Sequence, residues 1–73
     1  MNIRREFTVH MLNEAGKQKA RQIAETLTEA LDKLEQVCGT DGREMALVRT
    51  KFEELSFFAK KAMAVHSENQ EPA

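Results

Sequence analysis

Trp and Tyr are absent from this sequence, and one Cys, one Pro and three Gly are spread over its 73 residues. Each scarcity excludes something. Cys38 has no second cysteine to pair with in the chain. His10 and His66 stand far apart, with no Cys-x-x-Cys or His-x-x-x-His spacing beside them, so no metal site is expected. Charge of neither sign predominates: 11 Lys and Arg face 12 Asp and Glu, for a formal net charge of −1. A general nucleic-acid binder needs a clear cationic excess, so DNA is not an expected partner. A small anion held by two or three local cations remains compatible with that balance. The longest apolar runs, Met45–Val48 and Ala62–Val65, are far too short to span a bilayer. Behind the basic start Arg4-Arg5 there is no apolar stretch of the signal-peptide type, and a single thiol suits a reducing compartment. The expectation is a soluble, intracellular protein.

Motifs for chemistry are also missing. There is no Gly-x-Gly-x-x-Gly, no Walker loop and no calcium-binding loop, and neither His has an acid or nucleophile at a fixed spacing. Glu53 and Glu54 are neighbours and diverge on a helix. Nothing here meets the requirements of acid–base or nucleophilic catalysis, so neither an enzyme nor a cofactor is expected. Chains below about 70–80 residues rarely gain more than about 3–5 kcal/mol from one core and add disulfides, a metal or self-association. With the first two excluded, a homo-oligomer is expected.

What is present is helical. Residues 1–12 carry Phe7, Val9, Met11 and Leu12 without a sustained period and read as an extended or short-turn N-terminal arm. From Asn13 to Cys38 helix formers dominate, with apolar residues at Ala20, Ile23, Leu27, Ala30, Leu31, Leu34 and Cys38. At 100° per residue these fall within about 100° of arc, the face of one amphipathic helix. Asn13 is placed to cap it. Gly16, early in the helix, costs about 1 kcal/mol relative to Ala. Either the helix begins after it or another segment approaches its backbone closely. Gly39 supplies a stop in the left-handed conformation, and Asp41-Gly42-Arg43-Glu44 reads as a capping box with Asp41 as N-cap. A second helix is expected over 42–66 and a frayed polar tail over 67–73. So short a connection makes the helices antiparallel neighbours: an all-α two-helix hairpin in a single domain.

The second helix carries more apolar surface than a hairpin can cover. Met45, Val48, Phe52, Leu55, Ala59, Ala62 and Met63 share about 100° of arc and face the first helix. Leu47, Phe58 and Val65 form a line on one side of that face, and Ala46, Phe57 and Ala64 a line on the other. Two helices have no third layer for both lines, so Leu47, Phe57, Phe58 and Val65 are expected at an oligomer interface. Cys38 reads as a small core residue. Among the charged residues, Lys17, Lys19 and Arg21 cluster with Gln18 at the start of the first helix, after Phe7, Thr8 and His10 in the arm. An aromatic ring with cations beside a helix N-terminus suits a phosphorylated nucleotide; a solvated helix face is the plainer reading of the same residues. Arg49, Thr50 and Lys51 form a second short cationic group.

The segment from Arg43 to Ala64, with its Phe57-Phe58 pair and closing Ala62-Met63-Ala64, resembles the second helix of a phage anti-defence family, and Phe7-Thr8-Val9-His10 before a long helix resembles its N-terminal region. The family is the small helical-hairpin anti-CBASS sponge, whose hairpin domain also occurs in the Thoeris anti-defence sponge. The resemblance covers about residues 7–65. It implies a hexamer in the cytoplasm of an infected bacterium that holds cyclic di- or trinucleotide second messengers without cleaving them, so that the immune effector is not activated. It also implies that Phe7 stacks on a base, that Lys17 or Lys19 contacts phosphate, and that Arg49 is a cation at the oligomer axis. The chain departs from the family in lacking the Tyr some members have in the arm and the Trp some have in the second helix. Phe7 can therefore stack but cannot donate a phenolic hydrogen bond. A different reading of the same apolar lines is an oligomeric adaptor or inhibitor that binds a host protein.

Overall fold

The computed structural model describes residues 3–4 and 10–72. Phe7 and Thr8 lie outside them, as does most of the expected arm. Two helices, α1 (Glu14–Cys38) and α2 (Arg43–Ala64), form an antiparallel hairpin, followed by a 3₁₀ helix over Ser67–Asn69. The hairpin is all-helical apart from one isolated antiparallel bridge, Leu12 to Gln70.

Both helix starts follow from local chemistry, in different ways. Asn13 is extended and its Oδ1 accepts from Gly16 N at 2.8 Å, so it caps α1 as expected. At α2 the capping box does not form. Gly42 is the N-cap, no side chain caps the helix, and Asp41 lies in the turn. Gly39 and Gly42 reach φ +85° and +106° with extended ψ, a region open essentially to glycine alone. Gly39 thus ends α1, by a backbone state other than the left-handed helical one expected, while its N–H donates to Glu35 O at 2.8 Å. Two such glycines tighten a four-residue turn where a glycine–side-chain cap pair was expected.

Packing between the helices is thin. Met45, at 4% exposure, is the one fully buried apolar side chain among the described residues. Ile23, Leu27, Leu31, Val48, Phe52, Ala59 and Met63 are half-buried along the seam, as their helical phase predicts. Other positions of the two expected core faces are exposed: Leu34, Leu55 and Ala62 lie at the seam's edges, and Cys38 is exposed beside the turn instead of filling the core. The reason is that a helix pair offers only one contact line. A 100° apolar arc is wider than that line, and its margins face outward.

The tail differs most from expectation. α2 ends at Ala64 and the chain turns back through Val65, so that residues 67–71 close the open end of the hairpin. Asn69 is 2% exposed, with every polar group partnered. Its Nδ2 donates to Met63 O at 2.9 Å, its Oδ1 accepts from Lys19 Nζ at 2.6 Å, and its carbonyl accepts from Asn13 N at 3.0 Å. Asn13 Nδ2 reaches across to Glu68 O and Gln70 O, at 2.9 and 3.1 Å. Gln70 Nε2 donates to Ala64 O, and Glu71 N to Met11 O. Gly16 explains itself here. The helix does include it, and a Cβ built on it would lie 2.3 Å from Asn69 O and about 3 Å from Leu12. Close approach of the tail is what excludes a side chain at that position.

Candidate functional site

The basic side chains at the start of α1 diverge in environment. Lys17 is exposed and pairs with Glu14 at 3.7 Å, an i,i+3 surface pair of small energetic weight. Together with Gln18 and Arg21, which is also exposed, it borders a shallow depression that includes Glu14 and Glu25, so acidic groups share that surface. Lys19 points elsewhere. It is half-buried, its ammonium is anchored on Asn69 Oδ1, and it stands at the edge of a groove of about 410 Å³ between α1 and α2. Ile23, Thr26, Leu27, Leu55, Ala59 and Met63 make that groove mostly apolar. An ammonium has three donors, and Asn69 Oδ1 engages one of them, which leaves further N–H groups for an anion.

Lys17 and Lys19 are therefore not equivalent positions for binding phosphate. Lys17 is exposed and already offset by a carboxylate. Lys19 is held in place by an uncharged partner, which lowers the side-chain entropy lost when it binds an anion.

Arg49 sits at the other end of the hairpin. Its guanidinium donates to Glu35 Oε2 through Nε at 3.3 Å and Nη2 at 3.0 Å, and also to Thr40 O. α1 has no basic residue in its last turn, and Arg49 supplies the missing positive charge from α2. Glu35 is at least fourteen residues along α1 from Lys17, Lys19 and Arg21, roughly 20 Å or more at 1.5 Å per residue. The hairpin keeps the two cationic groups apart. His10 is half-buried at the edge of the described region.

Three of the four expected interface positions are open. Phe57 and Phe58 are each 61% exposed, with their rings edge-to-face at a centroid distance of 5.2 Å, and Leu47 is half exposed. Val65 is half-buried at the end of α2, where the chain turns toward the tail. Among the described residues no group of three or more His, Cys, Asp or Glu is placed to hold a metal ion, and no helix is long and apolar enough to cross a membrane.

Sequence reasoning missed Asn13 and Asn69 as the residues that fix Lys19 and the hairpin's open end. The available signal was Gly16, a helix-disfavoring residue inside a strong helical pattern. Comparison with protein-family models, curated proteins and solved structures finds no match to this chain. The class the fold defines is a two-helix hairpin closed by its own C-terminal segment.

Proposed function

We propose that this chain is the protomer of a non-enzymatic homo-oligomer that sequesters cyclic oligonucleotide second messengers, acting as a phage anti-defence protein in the cytoplasm of the infected bacterium. Bound intact, such a messenger is withheld from the effector it would activate in CBASS-type immunity. The observation that carries this reading is Lys19, a cation held by a neutral side chain at the rim of an apolar groove. That combination suits a ligand with flat apolar bases and anionic phosphates. The sequence resemblance adds Phe7 as the stacking ring. Exposed Phe57 and Phe58 support assembly, and the separation of Arg49 from the first cationic group supports ligand sites shared between protomers.

Thermal denaturation with a panel of cyclic di- and trinucleotides tests this. Ligand at 100 times its dissociation constant adds about 2.7 kcal/mol, which raises the midpoint of so small a domain by several degrees or more. Phe7→Ala is expected to abolish the shift and leave the oligomer's mass unchanged. If no cyclic nucleotide moves the transition, the sequestration reading fails. The exposed pair Phe57 and Phe58, with Leu47, then favours the second reading, an adaptor or inhibitor hairpin that binds a host protein.

A further inference from the structure

Residues 67–71 cross the open end of the hairpin as a strap. The segment reads Ser67-Glu68-Asn69-Gln70-Glu71, without an apolar side chain, so its closure rests on hydrogen bonds, whose net contributions are individually modest. Asn69 stands at its centre and is 2% exposed. Its N–H donates to His66 O at 3.0 Å and its Nδ2 to Met63 O at 2.9 Å, which fixes it to the end of α2. Its carbonyl accepts from Asn13 N at 3.0 Å, and its Oδ1 accepts from Lys19 Nζ at 2.6 Å. One buried residue thus ties the strap to both helices and to Lys19.

Asn13 serves the strap from the other side. Its Oδ1 caps α1 through Gly16 N, while its Nδ2 donates to Glu68 O and Gln70 O. The two ends of one amide have separate tasks, and the second has no part in starting the helix. Gly16 leaves the room for this arrangement, since Asn69 O passes where its Cβ would stand. A polar segment near a chain end, held by hydrogen bonds, belongs to the part of a fold that opens first. When the strap opens, Lys19 loses its acceptor and its long stem regains rotamers. An anion that then binds the ammonium bears the entropy of ordering it.

We infer that Asn69 is the positioning residue of Lys19, and that closure of the strap and binding of an anion at Lys19 favour each other. This rests on the reading of Lys19 as a phosphate contact and adds a regulation of that site. An amide suits the task better than a carboxylate. Oδ1 orients the ammonium without neutralising it, and Nδ2 supplies the donor to Met63 O that a carboxylate lacks. By linkage, if closure raises anion affinity by some factor, a bound anion favours closure by the same factor. Couplings between sites commonly amount to about 5–150-fold. The ordering of a single lysine stem places this one at the lower end, about 5–10-fold.

The test uses the full chain with cyclic di-AMP, cyclic di-GMP and cyclic tri-AMP as probes. Asn13→Ser keeps a capping oxygen for α1 and removes both side-chain donors to the strap. It is expected to lower the affinity for a bound probe about 5–10-fold, with helical circular dichroism retained. Lys19→Met is expected to weaken binding more strongly. In that background Asn13→Ser should change affinity by about twofold or less, since no ammonium remains to be placed. Equal affinity of the wild type and Asn13→Ser overturns the coupling alone. Losses that add in the double variant also overturn it, because the strap then acts on the ligand without Lys19. Should Asn13→Ser not fold, hydrogen exchange of the wild type decides. The amides of Asn13 and Glu71, which donate to Asn69 O and Met11 O, should exchange before those in the middle of α1. Saturating probe should slow them about fivefold or more. Exchange no faster than in α1, or unchanged by the probe, overturns the coupling. Binding of none of the three probes overturns the coupling and the sequestration reading together.

Discussion

Gly16→Ala is expected to destabilise the protein, although helix propensity alone predicts a gain of about 1 kcal/mol. The new methyl would stand 2.3 Å from Asn69 O, a backbone atom, and about 3 Å from Leu12. No rotamer change relieves a clash with a carbonyl that is itself accepting from Asn13 N. The closing segment must then move, and its hydrogen bonds through Asn13, Asn69 and Gln70 weaken together. Overpacking of this kind costs about 1–3 kcal/mol, and each buried polar group left without a partner adds about 1–3 kcal/mol unless water reaches it. Thermal melting checks the sign, and hydrogen exchange checks the cause. The amides of Asn13, Asn69 and Glu71 should lose protection before those in the middle of α1. A raised midpoint would show that propensity dominates and that the tail does not press on Gly16.

Met45→Ala is expected to have an effect of comparable or larger size for the opposite reason, loss of volume. Met45 is the fully buried apolar side chain among the described residues, at 4% exposure, in a hairpin where the rest of the seam is half-buried. Truncation of a buried Met to Ala costs about 2–5 kcal/mol, a large share of the roughly 4–11 kcal/mol typical of a domain this size. At about 4–8 °C per kcal/mol, the midpoint should fall by about 8 °C or more. Val37→Ala supplies the control, since Val37 is 83% exposed and its truncation should change stability by no more than about 0.5 kcal/mol in the monomeric hairpin. Equal effects of the two substitutions would mean that the stability lies in contacts between chains, where exposure in one hairpin does not count. Both measurements belong at fixed protein concentration, because an oligomer's midpoint depends on it.

The residues differ in how much of their role could be read in advance. α1 was legible from the spacing of Ile23, Leu27, Leu31 and Leu34 and from Asn13, because helical phase and N-capping are local. The turn was legible in place but not in detail: glycine at 39 and 42 marks it, while the choice of Gly42 over Asp41 as cap depends on how two helices meet. The outward set of Leu47, Phe57 and Phe58 also followed from phase, since a hairpin has one contact line and those residues lie far from it. Which positions of the core face become buried did not follow. Phase assigns Met45, Leu55 and Cys38 to the same arc or its counterpart, yet only Met45 is enclosed, because enclosure needs atoms from α1 that phase on α2 does not locate.

The candidate site shows the same division. Lys17, Lys19 and Arg21 are one cluster in sequence, and periodicity separates them only by direction. The distinction that matters, Lys17 beside a carboxylate and Lys19 on a neutral amide at a groove, rests on Asn69, fifty residues further along.

By itself the sequence determined that this protein is an all-helical hairpin with an apolar excess that one contact line cannot cover. Those are properties of spacing, composition and local capping. Tertiary structure alone decided that the polar tail closes the hairpin, that Gly16 is a close-approach position, and that Lys19 is the anchored cation. Each of these depends on groups far apart in the chain meeting at hydrogen-bond or van der Waals distance, and no local pattern encodes such a meeting.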